Sequence, residues 1–421
     1  MNEITEILTL LNPWWKESTV SKNLAKEFKR QVFDNIKRLI NYRQIVLLSG
    51  LRRVGKTTLL YQIIEHLINN TDPKRIVFFS FDKKVEEIIQ ILDHYQEVTG
   101  INWKKEKIYV FFDELTKLED WANKLKIIYD SFPNLKLFVS SSSSLILEED
   151  AIKNLGGRYF IANLKPLSFS EFLELDGKQN LIKNHKLFEK EIQEEFHKYL
   201  LRSFPEIVKW KDELLIRDYL RSTIIDKIIK SDLPDKFKNT NKNLLIALLE
   251  LFYKEPGFYL DYDSLSKSLR ISKKTLIKHI YYLEFSYLIK IVRNFRVSTL
   301  SSMRKLQRVY AYWWTLAYCY GDNIDKITEN IVASSLDAKN YWTKGGKEID
   351  FIVLNNNKIM PIEVKNKNEL RKEDIKTMVY FLKKYKIKEG FFVYNGEEKE
   401  IYIDKLKINL IPLWKWMLKE R

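Results

Sequence analysis

The sequence is poor in sulfur and imidazole. Cys319 is the single cysteine among 421 residues, so no disulfide can close within the chain and no cysteine-built zinc cluster can form. The five histidines are scattered and give no basis for a structural zinc. Long apolar runs are missing as well. Stretches such as Leu244 to Phe252 reach about ten residues and are broken by Glu250, about half of what a bilayer-spanning helix requires. Met1 to Leu11 carries Glu3 and Glu6 where a secretory leader has a basic start, and it lacks a small-residue cleavage site. The expectation is a soluble, cytoplasmic protein without a membrane partner. Internal repeats and low-complexity linkers are also absent.

What is present suffices for large cores. Hydrophobic residues make up 45% and charged residues 30%, without the compositional bias of disorder, and the length calls for more than one domain. Lysine and arginine outnumber the acids by 72 to 56, a formal charge of +16 that would favour a polyanion such as nucleic acid. Lysine-rich solvated helix faces give a similar balance, so charge alone leaves DNA binding open.

Along the chain, Leu24, Phe28, Val32, Ile36 and Ile40 recur at helical spacing and predict a helical lead-in over residues 1–40. Apolar strands follow at Ile45 to Leu48, Arg75 to Phe81, Lys107 to Phe112 and Leu135 to Val139, separated by polar or helical segments. That alternation predicts an α/β domain with a parallel sheet, over residues 1–166. A helical connector is expected over 167–240, a three-helix domain over 241–300, and a second α/β domain over 301–421 with a hairpin at Gly345-Gly346.

Gly50-Leu51-Arg52-Arg53-Val54-Gly55-Lys56-Thr57 fits the phosphate-binding pattern G-x-x-x-x-G-K-[ST], directly after a strand and before a helix. A phosphate chain needs backbone N–H groups turned inward around it, which glycines at the tight positions permit, and a helix N-terminus adds its positive dipole end. Arg53, Val54 and Thr58 belong to the same cradle, Lys56 is placed to neutralise phosphate, and Thr57 offers a hydroxyl to Mg2+. The expected cofactors are therefore ATP and Mg2+. Ile108 to Phe112 ends in Asp113, expected in the Mg2+ shell, and Glu114, expected to orient the attacking water. Ser140, Ser141 and Ser142 close the next strand; Ser141 and Ser142 serve as a γ-phosphate sensor in one reading, and helix capping explains the serines equally well. Arg158 is a candidate arginine finger, acting in cis or in a neighbouring copy of a homo-oligomer, or else a surface charge.

In the second half, Lys273 to Leu283 presents Lys273, Lys274, Lys278 and His279 beside Thr275, with Ser272 as N-cap: a mix suited to phosphates and base edges, or simply a solvated face. Further on, Glu363 and Lys365 project to one face of a strand, Asp350 sits on its partner strand, and Glu329 lies on a preceding helix. Carboxylates that hold a metal plus a lysine that positions water are what metal-assisted phosphodiester cleavage requires; a retained but inactive scaffold explains the same residues.

Asn12-Pro13-Trp14-Trp15, the Gly50 to Thr58 loop, Phe112-Asp113-Glu114 with Trp121 beyond, and Gly157-Arg158 leading to Pro166-Leu167-Ser168-Phe169 resemble the AAA+-type ATPases abundant in archaea. The resemblance implies a Walker A and Walker B pair, a sensor-like strand end and a functional Arg158. Similar proteins carry Thr-Gly-Ser-Ser where this chain has its serine run. The three helices resemble a winged helix, and the Asp350, Glu363, Lys365 constellation resembles the PD-(D/E)xK nuclease (restriction-endonuclease-like) fold. In that family an Asp often follows the strand equivalent to Arg308 to Tyr312, where this chain has Trp313-Trp314. Two functions follow as expectations: an ATPase driving a DNA-binding, DNA-cleaving half, or a slow nucleotide-dependent switch acting on a protein or operator through an inactive scaffold.

Overall fold

A computed structural model describes residues 3–142, 144–295, 307–321, 324–355 and 358–419. The chain divides into two compact units, Met1–Pro166 and Leu167–Arg421. No helix among the described residues is long and apolar enough to cross a membrane.

The first unit is built on β1 (Ile45–Ser49), β2 (Ile76–Ser80), β3 (Ile108–Asp113), β4 (Leu135–Ser140) and β5 (Tyr159–Asn163), all parallel in the order β2-β3-β4-β1-β5. Every residue of β1, β3 and β4 is buried, which is why β1 and β3 read as apolar runs rather than as an alternation, while β4 buries Lys136 with its Nζ donating to Tyr42 O and Gln44 O at 2.7 and 2.6 Å. Helices Lys56–Ile68, Ile88–Thr99, Trp121–Ser131 and Ser144–Asn154 supply the crossovers. Asn12-Pro13-Trp14-Trp15 closes the edge at β2. The Asn12 amide brackets Phe78, donating to its carbonyl at 2.9 Å and accepting from its N–H at 2.6 Å, while the indole N–H groups of Trp14 and Trp15 donate to Ile76 O at 3.0 and 2.8 Å. An edge that exposes unpaired backbone groups is thereby capped by side chains.

Two sequence expectations fail here. The helix expected from Leu24 onward begins only at Val32 and runs to Leu39, because the Gln62 amide takes the carbonyls of Lys26 and Phe28, at 2.5 and 2.8 Å, and holds that segment out of helical bonding. Strand β5 was missed: its Phe160 and Ile161 are exposed, so it shows neither a buried run nor alternation.

The second unit opens with helices Phe169–Leu175, Glu189–Leu201 and Glu213–Leu220, then helices Lys242–Lys254, Tyr262–Ser268 and Lys273–Phe285. Its strands are β6 (Phe258–Leu260), β7 (Ile289–Asn294), β8 (Gln307–Ala311), β9 (Asn340–Lys344), β10 (Lys347–Asn355), β11 (Lys358–Lys365), β12 (Glu389–Tyr394), β13 (Lys399–Ile403) and β14 (Leu406–Pro412). They form one sheet, ordered β13-β14-β12-β11-β10-β9-β7-β8-β6. β7 pairs with β9 through Arg293 and Asn294, so strands on the two sides of the boundary expected at residue 300 share one sheet, while residue 300 itself lies outside the described residues. The Gly345-Gly346 hairpin forms where the sequence places it, with both glycines at positive φ (57° and 72°), the geometry a two-residue turn needs. Helix Lys372–Tyr385 lies on one face of this sheet, packing Met378, Phe381 and Leu382 against Trp342, Ile349 and Ile352.

Candidate functional site

The loop between β1 and helix Lys56–Ile68 is shaped by backbone positions that only certain residues tolerate. Gly50 has φ 149°, and a Cβ there would stand 2.1 Å from the carbonyl oxygen of Leu164. Gly55 (φ 95°) caps the helix, and Arg53 (φ 65°) takes a left-handed conformation unusual for a side chain-bearing residue. Arg30, which the sequence reading passed over, fastens the loop from behind: its guanidinium, nearly buried, donates to Val54 O and Lys165 O at 2.9 Å each. A lone arginine in an irregular segment carries no motif that could have flagged it.

Lys56 is buried and its Nζ donates to Gly50 O and Leu51 O, both at 2.8 Å, so the ammonium turns back on the loop. Burial lowers its pKa to about 8, with the charges of Glu114 and Asp113 opposing that shift. Thr57 Oγ1 donates to Asp113 Oδ2 at 2.8 Å, which joins the loop to the end of β3. Ser140, at the end of the intervening β4, donates to the other oxygen of Asp113. Burial, reinforced by the charge of Glu114, raises the Asp113 pKa, and the bonds from Ser140 and Thr57 act against the shift. Val54 and Thr58 flank these groups, buried and half-buried respectively.

Glu114 leaves β3 in the left-handed region (φ 54°), and its Oε2 accepts from both the N–H and the Oγ of Ser142, at 3.0 and 2.8 Å. Of the two serines expected as sensors, Ser142 thus engages the acid, whereas Ser141 is buried and its hydroxyl bonds Thr116 at 2.6 Å. Arg158 is not brought to the loop. It precedes β5, whose register sets Tyr159 beside Ile45 and Asn163 beside Ser49, so about 16 Å of parallel strand separates it from the phosphate end. Its guanidinium pairs with Asp130 at 2.7 Å instead, and the expected role in cis is corrected accordingly.

In the second unit Ser272 caps helix Lys273–Phe285 by accepting from Thr275 N at 3.0 Å, as expected. Lys274 and Lys278 are exposed; Lys273 is exposed and paired with Asp263 at 2.8 Å. His279 is not displayed. It is buried, its Nδ1 lies 2.8 Å from Thr275 O and its Nε2 accepts from Asn241 N at 3.0 Å.

Glu329, Asp350, Glu363 and Lys365 do converge, around a residue the sequence reading left out. Arg308 of β8 is buried with its guanidinium between the rings of Tyr259 and Tyr341, 4.9 and 5.1 Å from their centroids. It donates to Glu329 at 2.7 Å and to Glu348, and lies 3.5 Å from Asp350. On the other side of Asp350, Lys365 pairs with Glu363 at 2.6 Å, and Asp350 accepts from Val364 N at 2.8 Å. Burial and the neighbouring Asp350 push Glu363 up to about 8 and Glu329 up to about 7. Among the described residues no group of three or more acidic, histidine or cysteine side chains is arranged to hold a metal ion. A guanidinium stands among the carboxylates that the sequence suggests for holding a metal. Trp313 and Trp314, at the position where an Asp was awaited, are core residues whose indoles donate to Ser203 Oγ and Leu200 O at 2.8 and 3.0 Å.

Comparison with known proteins bears on the domain that holds the first of these sites. Residues 42–173 match the family described as AAA domain, so the chain carries an AAA-type P-loop ATPase domain. Residues 193–314 and 325–416 match two domains of unknown function, DUF8612 and DUF4143. The chain is 28% identical to the uncharacterized protein MJ1544 of Methanocaldococcus jannaschii, over 96% of this chain and 95% of that one, and 27% identical to MJ1637 of the same organism, over 93% and 90%. Among solved structures, the Walker-type ATPase paby2304 of Pyrococcus abyssi is similar with a TM-score of 0.43 and 16% identity, covering 70% of this chain and 97% of that one.

Proposed function

We propose that the chain hydrolyses ATP with Mg2+ in its first unit, and that nucleotide state governs nucleic-acid binding by residues 167–421. The observation that carries the first part is the contact of Thr57 with Asp113. A hydroxyl and a buried carboxylate, 2.8 Å apart at the mouth of a phosphate loop, are the two oxygen donors a Mg2+ ion between phosphates requires. Thr57 and Asp113 would hold the ion, which supplies charge neutralisation at the phosphate oxygens. The backbone of Gly50 to Thr58 cradles the phosphates, Lys56 exchanges its two carbonyl acceptors for them, and Glu114 orients the attacking water.

The second part is supported by the order β6-β8-β7 beside three helices, an arrangement suited to a winged helix, and by the exposed Lys274 and Lys278. Arg308 argues against cleavage, because it already supplies the positive charge that a catalytic metal would bring to Glu329 and Asp350. Lys56→Ala tests the site: ATP binding followed with a fluorescent analogue should weaken at least about a hundredfold, removing all DNA-stimulated turnover. Wild-type affinity in that variant would overturn the assignment.

One observation favours the slower, switch-like reading. Ser142 gives Glu114 two hydrogen bonds, and a carboxylate so occupied is less free to polarise water. Ser142→Ala should then raise steady-state turnover by about tenfold, in keeping with the loss of one hydrogen bond to a charged group. A fall in kcat would show that Ser142 positions Glu114 rather than restrains it.

A further inference from the structure

The β9–β10 hairpin sets Lys344 and Lys347 directly opposite each other across the Gly345-Gly346 turn. Like charges in facing strand positions oppose pairing, so the arrangement costs stability unless something else uses it. Helix Lys372–Tyr385 adds a third cation. The Nζ atoms of Lys347 and Lys384 lie 5.2 and 5.7 Å from the centroid of the same ring, Tyr380. All three lysines are exposed. Their neighbours Lys383 and Lys376 are neutralised by Asp404 and Glu373, at 2.9 and 3.4 Å, whereas Lys344, Lys347 and Lys384 have no carboxylate partner among the described residues. Desolvation and the crowding of Lys344 lower the pKa of Lys384, the expected response of an ammonium lacking a counter-charge.

Tyr380 is 42% exposed and yet firmly backed. Its ring leans on Trp342, at 6.2 Å between centroids, and the Trp342 indole is itself fixed by donating to Tyr385 Oη at 2.9 Å and by packing edge-on to Phe381. The patch belongs to the face of β10 covered by this helix, where Ile349 packs; Asp350 projects to the opposite face, so the patch is distinct from the Arg308 cluster.

We propose that Lys344, Lys347 and Lys384, set around Tyr380, bind single-stranded nucleic acid, the lysines taking consecutive phosphates and Tyr380 stacking a base. This rests on the reading of the second unit as a nucleic-acid-binding half. Duplex keeps its base faces covered, so an exposed aromatic backed by Trp342, among lysines with no carboxylate partner in the described residues, favours a single strand.

The test is fluorescence anisotropy of the full chain, without nucleotide, against a labelled oligothymidine of about 20 nucleotides and a duplex of equal length. The combined Lys344→Glu, Lys347→Glu, Lys384→Glu variant should lose at least about tenfold in affinity for the single strand and lower the salt slope by about 2. Tyr380→Leu, which keeps apolar bulk over Trp342, should weaken the single strand by about fivefold and leave the duplex unchanged. Thermal midpoints check folding, and Lys347→Ala alone, expected to show a smaller loss, replaces the triple variant should that one unfold. Wild-type affinity in a folded charge-reversed variant, with binding lost instead in Lys273→Glu, Lys274→Glu, Lys278→Glu, would overturn the patch and leave the broader reading standing. Failure of the wild type to bind either probe at low salt would overturn both. Equal losses for the two probes, with Tyr380→Leu silent, would reduce the patch to a general polyanion surface and reject the single-strand assignment.

Discussion

Glu114→Gln should bind ATP as tightly as the wild type and turn it over about a thousandfold more slowly, the usual scale for losing a positioned general base. The amide keeps the size of the side chain and can still accept from Ser142 N and Oγ, so the loop and strand ends should hold their geometry. What disappears is the negative charge that polarises water. Removing that charge also relieves one cause of the raised pKa of Asp113, so affinity in the presence of Mg2+ should be maintained or slightly improved. Single-turnover hydrolysis alongside equilibrium binding separates the two effects. Near-normal turnover would assign the water-orienting role to another residue and leave Glu114 as a partner of Ser142 alone.

Arg308→Ala should be the most destabilising single change in the second unit. Deleting one member of a buried ionic cluster strands its partners, at a cost of about 3–5 kcal/mol. Here Glu329, Glu348 and Asp350 would lose their shared cation, and Tyr259 and Tyr341 would face a cavity. For a unit of this size the thermal midpoint should fall by about 10 °C. Arg308→Lys should recover part of the loss, since a point charge replaces the fork that reaches several carboxylates at once. Addition of Mn2+ to Arg308→Ala is informative: recovery of the midpoint would mean that the guanidinium occupies the place of a divalent ion and that the scaffold is a silenced metal centre. A midpoint within a degree or two of the wild type in the absence of metal would show that the cluster contributes little and that Glu329 protonates instead, as its upward shift allows.

The parts that could be read from the sequence are those whose physics is local. The phosphate loop is legible because its backbone demands glycine at Gly50 and Gly55 and its chemistry demands Lys56 and Thr57 within eight consecutive residues. Strands β1 and β3 are legible because burial on both faces leaves an apolar run. The hairpin at Gly345-Gly346 and the cap at Ser272 are set by single residues acting on their immediate neighbours.

What the tertiary structure alone decided is everything that depends on which distant groups meet. Arg30 and Arg308 are ordinary arginines in the sequence; one becomes the rear anchor of the loop and the other the centre of the acidic cluster because chain segments far apart deliver carbonyls and carboxylates to them. Arg158 follows the same rule in reverse, since the parallel register of β5 carries it to the wrong end of the sheet, and His279 turns inward because Asn241 offers it an N–H. Periodicity failed between Leu24 and Phe28 for an equally non-local reason, the Gln62 amide claiming carbonyls that a helix would have used. Turn chemistry and motif spacing thus determined the phosphate-loop pattern of the first unit, whereas the partners of Arg30, Arg158 and Arg308 within their own units were decided by the fold, because electrostatic partners are chosen by distance in space and not along the chain.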